Sequence, residues 1–184
     1  MNANTPAPHI NVRHKLKAFV LGCDPTAYDK NKNRVVFEKV FGIGQDGRYF
    51  AGIKANLKQL NISMDEIYVQ NLITEYCDKE SSKDKNWVYS AQRFIPSLVL
   101  EFDREDPSRK TPVFLTSELQ YKALMNEGQK PKKPAELYNT ANEIVVAPER
   151  NKLFRPLMPL YRHFAYSLKN HTEYRERLLK HFGF

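Results

Sequence analysis

The sequence predicts an α/β fold: a three-layer α/β/α domain around a central, mostly parallel sheet of about four strands. Short apolar runs that stop at polar or turn-forming residues alternate along the chain with segments whose apolar residues recur at helical spacing. The 184 residues, with 41% hydrophobic content, are enough to close one core, and a second independent domain would be cramped. We therefore expect a single domain over residues 1–184.

The first half of the chain predicts one helix between two strands. Residues 1–14 hold prolines and no apolar run, and we expect them to form a flexible N-terminal segment. The first strand is predicted over residues 17–21, where an apolar run ends at Gly22. Helical spacing predicts a helix over 50–60, and the apolar run 67–71 predicts the second strand. This order is what a parallel crossover connection requires.

Helical signals and a third strand follow. Apolar residues at helical spacing over 88–102 predict a helix that Pro96 should kink or split. The third strand is predicted at 112–115. Ser117 and Gln120 then form a capping box, which predicts the start of another helix.

The last third of the chain is mostly irregular in this interpretation. Residues 126–142 are polar and rich in proline and lysine, which is typical of a loop. A fourth strand is predicted at 144–147, and a second irregular stretch at 148–170 contains further prolines. Thr172 is predicted to open a final helix.

The charge balance suggests a polyanionic partner. The chain has 29 Lys and Arg against 21 Asp and Glu, a net charge of +8. A field of this sign raises the local concentration of nucleic acid. A basic excess also serves solubility alone, so charge does not decide the matter.

The cysteine count and the hydropathy pattern indicate the compartment in which the protein is expected. Cys23 and Cys77 are too few for a disulfide framework, and they lack the close spacing of a structural zinc or iron–sulfur site. No stretch approaches the roughly 18 apolar residues of a membrane span, and the N-terminus lacks the apolar core of a signal peptide. We expect a reduced, cytoplasmic protein that is not embedded in a membrane.

Three polar residues stand at or just after the ends of apolar runs, where side chains from different strands can meet. Asp24 follows the first strand, Asn71 ends the second, and His163 follows the run that begins at Ile144. In an open parallel sheet, ligands bind outside the carboxyl ends of the strands, so an acid, an amide and an imidazole can share one pocket. Each residue also has an ordinary structural explanation: a strand-ending turn, a capping amide and a surface histidine.

A glycine pattern offers a different chemistry. Residues 42–47 match G-x-G-x-x-G, precede a predicted helix, and have Asp65 about 20 residues further on. The pattern could cradle a pyrophosphate. Asp65, however, comes before the second strand instead of at its end, so a turn built on glycine is the stronger interpretation.

Two further sets of residues have both an ordinary and a functional interpretation. Phe50 is either a core residue of the first helix or a stacking platform at the wall of a pocket. Lys130, Lys132 and Lys133 are either solvated loop charges or phosphate contacts.

Four motifs, in order, resemble those of the uracil-DNA glycosylase superfamily. Gly22-Cys23-Asp24-Pro25 looks like its Gly-x-Asp-Pro motif, and Tyr49-Phe50-Ala51-Gly52 resembles its PF-x-G helix entry. Ile67 to Asn71 resembles its strand ending in Asn. His163, with Ser167 and Leu168, stands where the family has a His-Pro-Ser type loop.

The resemblance implies a mechanism and a set of roles. Asp24 would position the attacking water and stabilise an oxocarbenium-like sugar, Phe50 would stack on the flipped base, Asn71 would read its edge, and His163 would hydrogen-bond the base oxygen that gains charge. Gly22, Cys23 and Pro25 would complete the substrate pocket. DNA contacts would come from Arg162, Ser167, Leu168 and the three lysines, with Leu168 as the wedge residue. No metal and no cofactor are implied.

This chain departs from the family pattern in two places. Thr26 follows Asp-Pro where one family member has a tyrosine that excludes the thymine methyl, and Phe164-Ala165 replaces the usual Pro-Ser. We expect a monomeric DNA glycosylase acting on uracil or a related deaminated base. The alternatives are a catalytically inactive nucleic-acid-binding module of the same fold, and a nucleotide-cofactor enzyme that uses Gly42 to Gly47.

Overall fold

The computed structural model describes residues 5–10, 16–129, 133–139 and 145–184. Within these ranges the chain forms five strands: β1 His9–Ile10, β2 Ala18–Gly22, β3 Ile67–Asn71, β4 Val113–Leu115 and β5 Leu157–Pro159. The same ranges contain six α-helices: α1 Ala51–Gln59, α2 Trp87–Gln92, α3 Ile95–Glu105, α4 Glu118–Leu124, α5 Pro134–Asn139 and α6 Thr172–Phe182.

The strands form a single sheet in the order β1-β3-β2-β4-β5. The four strands from β2 to β5 are parallel, and β1 is antiparallel to β3. Helices lie on both faces: Phe102 of α3 stacks on Phe19 with ring centroids 4.1 Å apart, while Phe184, just after α6, packs on Phe114 of the opposite face. The predicted α/β class and mostly parallel sheet are confirmed.

The sheet register aligns the strand ends that matter for the site. Gly22 lies opposite Asn71, and Leu115 lies opposite Pro159. The carbonyl oxygen of Leu21 accepts hydrogen bonds from the Thr116 hydroxyl, at 2.9 Å, and from Gln120 Nε2, at 2.6 Å. The carboxyl ends of neighbouring strands are therefore in register, and hydrogen bonds join the end of β2 to the residues that follow β4.

Two strand assignments need correction. Within the predicted strand 144–147, Ile144 lies outside the described residues, and Val146 forms only an isolated antiparallel bridge with Leu157. The fourth parallel strand is β5 instead, inside the stretch predicted to be irregular. Its proline is tolerated because Pro159 is the last residue of a strand that ends the sheet.

Part of the predicted N-terminal segment is also ordered. His9 and Ile10 of β1 pair with Val69 and Tyr68 of β3, and the His9 Nε2 lies 3.2 Å from the carbonyl of Met64. The flexible segment expected over residues 1–14 is therefore wrong for these residues.

The helical predictions agree with the structure in most places. The apolar series 88–102 is split, with α3 carrying Pro96 in its first turn, where a missing N–H costs nothing. The capping box of Ser117 and Gln120 opens α4, and α6 begins at Thr172. The loop predicted over 126–142 contains one short helix, α5.

A buried arginine stabilises the sheet away from the strand ends described above. Arg155 is fully buried; its guanidinium donates to Asp103 Oδ1 at 2.9 Å and Asp106 Oδ2 at 2.8 Å and lies 5.0 Å above the ring of Phe19. A buried charge of this kind is stable only while it is paired, and the two terminal nitrogens of Arg155 contact both carboxylates, whereas its Nε has no hydrogen-bond partner among the described residues.

We expect Arg155→Ala to lower the free energy of unfolding by roughly 3–5 kcal/mol, because it leaves two carboxylates without their buried cation. Urea denaturation measures the change. The matched control is Arg109→Ala, since Arg109 also pairs with Asp103 but is exposed, and its loss should change stability far less. Equal losses in the two variants would contradict this account.

Candidate functional site

A pocket of about 770 Å³ lies at the carboxyl ends of the parallel strands. Each of the four strands contributes a lining residue at or just after its end: Cys23, Asn71, Thr116 and Tyr161. The strand β2 has β3 on one side and β4 on the other, so the connection from β2 to β3 runs one way along the sheet and the connection from β3 to β4 runs the other way. This reversal of strand order is where ligands bind in open α/β sheets.

The structure brings Asp24, Asn71 and His163 into this one pocket. Cys23 and Pro25 also line it, and Arg162 lies at its edge beside His163. The three residues come from loops or strands far apart in sequence. Their meeting point follows from the parallel sheet, as the sequence analysis expected.

Asp24 is held by two hydrogen-bond donors. Its Oδ1 accepts from the backbone N–H of Thr26 at 2.9 Å, and its Oδ2 accepts from the indole Nε1 of Trp87 at 2.8 Å. Burial raises the pKa of the Asp24 carboxyl above its usual value, although hydrogen bonds from the Thr26 side chain, the Thr26 N–H and the Trp87 indole lower it. The charge of Asp84 raises the pKa further. The carboxylate is thus a stronger base than a solvated aspartate.

Asn71 is 2% exposed and ends β3 directly opposite Gly22. A Cβ at position 22 would lie 2.1 Å from Asn71 Oδ1 and 2.6 Å from Cζ of Phe41, so only glycine leaves room for both side chains. Within the described residues, no hydrogen bond engages the Asn71 amide group. The amide therefore offers the pocket both a donor and an acceptor.

The aromatic wall differs from the prediction. Phe50 is only 3% exposed and belongs to the hydrophobic core, so a stacking role for it is wrong. Phe41 lines the pocket instead, with its ring centroid 5.4 Å from that of Phe50. Phe41 also has a φ of 56°, a strained conformation for a bulky residue of the kind that clusters at functional sites.

The glycine pattern at 42–47 sets the backbone around Phe41. Gly42 and Gly44 both have positive φ, and the N–H of Gln45 donates to the carbonyl of Gly42 at 2.9 Å. No strand of the sheet lies between β2 and this pattern, whereas a dinucleotide fingerprint follows a strand directly. The pattern forms a turn that does not directly follow a strand of the sheet, which disfavours the nucleotide-cofactor alternative.

His163 lies on an exposed loop at the pocket mouth. Its Nδ1 accepts a hydrogen bond from the backbone N–H of Ala165 at 3.2 Å. In the neutral imidazole this acceptor role places the proton on Nε2, which becomes a donor. Helix α1 supports the loop closely, since a Cβ on Gly52 would come within 3.1 Å of the Arg162 carbonyl oxygen.

The predicted wedge residue is also wrong. Leu168 is fully buried, and its backbone N–H donates to Oδ1 of Asn56 at 3.0 Å, so its side chain has no surface to offer DNA. Phe164, next to His163, is 81% exposed. Ser167 is half-buried at the end of the same loop.

Of the three lysines predicted to contact DNA, only Lys133 lies within the described residues. Lys130 and Lys132 lie outside the described residues. Lys133 is exposed, its backbone N–H donates to the carboxylate of Glu136, and it does not line the pocket.

The thiol in the pocket is inert as a nucleophile. Burial raises the pKa of the Cys23 thiol to about 12, against the lowering effect of a hydrogen bond with Ser117. The charge of Asp24 raises it further. A protonated thiol does not attack carbon, so the carboxylate is the candidate reactive group.

Trp87 and Phe41 are the site residues that sequence reasoning missed. Trp87 is the single tryptophan of the chain and opens α2, one residue before the apolar series begins at Val88. Its being the single tryptophan was the one feature of the sequence that could have drawn attention to it. Phe41 lies in a segment that fits neither helical nor strand spacing, and that irregularity was the available clue.

No protein-family model matches the chain, and no curated protein matches its sequence. Within the described ranges, no helix has the length and apolar character needed to cross a bilayer. The same ranges contain no group of three or more His, Cys, Asp or Glu side chains placed to hold a metal ion.

Proposed function

We propose that this protein hydrolyses the N-glycosidic bond of uracil, or of a related deaminated base, in DNA. The observation that carries the proposal is the pocket itself, in which a carboxylate, an unengaged side-chain amide, an imidazole whose Nδ1 accepts a hydrogen bond, and an aromatic ring meet at the strand ends. The resemblance of the Gly22 to Pro25 and Ile67 to Asn71 segments to uracil-DNA glycosylases supports the same reaction. The compartment proposed for this activity is the cytoplasm.

The base would enter the pocket flipped out of the duplex. Unstacking costs a few kcal/mol, least for damaged or mismatched bases, and stacking on Phe41 with hydrogen bonds from Asn71 offsets it. Asn71 presents a donor and an acceptor side by side, which matches the edge of a pyrimidine. Its burial makes each of these hydrogen bonds selective, since an unmatched partner would leave a buried polar group unpaired.

Hydrolysis then breaks the bond between C1′ and the base nitrogen. The bonding electrons move onto the base, where the growing charge on a carbonyl oxygen meets the His163 Nε2–H. Asp24 stabilises the oxocarbenium-like sugar and accepts a proton from the water that attacks C1′. The products are an abasic site and the free base.

Exposed side chains at the pocket mouth support DNA as the polymer. Phe164 is a large apolar side chain in solvent, and the exposed Arg162 precedes it by two residues, so the loop offers one side chain for a base stack and one for a phosphate. The net charge of +8 favours a polyanion. The binding-module alternative shares these two features, and only turnover separates it from the glycosylase.

The test is a cleavage assay on oligonucleotides that carry uracil, hypoxanthine or a G·T mismatch, followed by alkali treatment of abasic sites. We expect strand breaks at uracil that require Asp24. DNA affinity that falls with salt, without abasic product on any of these substrates, would instead identify a binding module.

Replacing the proposed stacking ring gives a separate prediction. We expect Phe41→Leu to lower kcat/KM about 10–100-fold, because a base loses roughly 1–3 kcal/mol of stacking when the ring is removed, while Phe41→Tyr retains most activity. Steady-state kinetics on single-stranded uracil oligonucleotides measures both. Phe50→Leu is the matched control, since Phe50 lies behind Phe41 in the core and should affect stability more than turnover.

A further inference from the structure

Trp87 lies beneath the pocket with its indole directed at the Asp24 carboxylate. It is fully buried, and its Nε1–H donates to Asp24 Oδ2 at 2.8 Å across 63 residues of sequence. The second oxygen, Oδ1, accepts from the Thr26 N–H at 2.9 Å. Each carboxylate oxygen therefore has a fixed donor, which sets the plane of the carboxylate. The Thr26 side chain also forms a hydrogen bond that lowers the pKa of the same carboxyl, so Trp87 acts together with Thr26.

We propose that Trp87 is a positioning residue that fixes the Asp24 carboxylate and favours its ionised form. The benefit to catalysis rests on the proposed function. The orientation and ionisation of Asp24 can be measured without it.

Hydrogen bonds fix both ends of α2, the helix that carries the indole. At the start of the helix, the Trp87 N–H donates to the carbonyl of Asp84 at 3.2 Å. At its end, Gln92 Nε2 donates to the carbonyl of Ala123 in α4 at 2.9 Å, and Lys152 donates to the Gln92 side chain at 2.6 Å. A donor locked in this way costs no reorganisation when charge must be stabilised.

The same contact ties a pocket wall to the reactive group. Ser81 and Ser82 line the pocket, and the segment that carries them runs directly into Trp87. The indole thus anchors this wall to Asp24. Loss of the hydrogen bond would loosen the carboxylate and the wall together.

Other groups near the carboxylate also influence its ionisation. Asp84, on the segment before α2, raises the pKa of Asp24 through its charge, and Asp24 in turn raises the pKa of both cysteine thiols. Charged or titratable side chains also line the same pocket from other segments: Tyr28, Tyr49, Glu80, Glu118, Tyr161, Arg162, His163 and Tyr166. A test of the proposal must therefore assign the titration to Asp24 by substitution.

Because the chain has one tryptophan, a ¹H–¹⁵N spectrum contains one indole signal to follow. We expect that signal to shift between about pH 3 and 8 with a midpoint above the ordinary aspartate pKa of about 3.9, because protonation of Asp24 weakens the acceptor. Asp24→Asn should abolish this shift. Asp84→Asn, the matched control, should keep it and lower its midpoint, since a neighbouring negative charge has been removed.

The kinetic arm uses Trp87→Phe, which keeps a buried ring and removes the donor. We expect kcat to fall about 10–100-fold, the value of a hydrogen bond to a charged group, with little change in KM. The acidic side of the pH profile should also move to higher pH, because the ionised carboxylate has lost a stabilising donor. A purely structural role would lower activity without moving that side of the profile.

Two results would overturn the proposal: an indole signal whose pH response is the same in the wild type and Asp24→Asn, or a Trp87→Phe enzyme with an unmoved acidic limb. The indole measurement is made on the wild type and does not depend on the Trp87 variant folding. Absence of cleavage by the wild type on every lesion would reject the proposed function, and the indole titration would still decide whether Trp87 controls Asp24.

Discussion

Asp24→Asn is expected to reduce uracil release by about 10²–10⁴-fold, because an amide can neither accept the water proton nor stabilise a developing cation by charge. Single-turnover cleavage of a uracil oligonucleotide measures the loss. Binding of uracil-containing DNA should persist, since the carboxylate is repelled by phosphate and adds nothing to ground-state affinity. The matched control is Asp29→Asn, an exposed aspartate outside the pocket, which should leave the rate within a few-fold of the wild type.

The pH dependence of the wild type follows from the same carboxyl group. Burial raises the pKa of Asp24, so the inactive protonated form persists to a higher pH than for a solvated aspartate. Activity should therefore fall as the pH drops through a midpoint above about 3.9. An acidic limb that survives unchanged in the residual activity of Asp24→Asn would show that another group titrates.

His163→Leu is expected to lower kcat by about 10²–10³-fold, the usual cost of removing one donor from a site of developing negative charge. The loss belongs to the chemical step, because the negative charge that the imidazole N–H would stabilise develops on the base oxygen only as the bond breaks. Single-turnover rates, with DNA affinity measured in parallel, separate this effect from weaker binding. His163→Gln is the informative companion, since its side-chain N–H can stand in for Nε2–H and should recover part of the rate.

Equal rates for His163→Leu and the wild type would remove the imidazole from the mechanism. Equal losses in the Leu and Gln variants would indicate that the ring supports the loop through its bond from the Ala165 N–H instead of acting on the base.

The elements that the sequence predicted correctly are those whose signals are local. β2, β3 and β4 are continuous apolar runs buried on both faces, and α4 carries its own capping box. Their strand-end residues, Asp24 and Asn71, could therefore be assigned to one side of the sheet before any coordinates. Because the strands are parallel, their carboxyl ends lie at the same edge of the sheet, which brings the two residues together.

The errors arose where tertiary contacts override local preference. β5 contains a proline that only an edge position permits, and β1 is two residues long, too short to produce a pattern. Phe41 adopts a positive φ that no rule would assign to a phenylalanine. The bond between Trp87 and Asp24 spans 63 residues, and nothing in the spacing of the two residues indicates it.

The protonation of the pocket thiol has a practical consequence for labelling. Burial raises the pKa of the Cys23 thiol to about 12 and that of Cys77 to about 11, so both thiols are protonated at neutral pH. Alkylating dyes react with thiolates, so both native cysteines should be slow to couple. A cysteine introduced at an exposed position should then react selectively with a fluorophore, and the two native cysteines need not be replaced first.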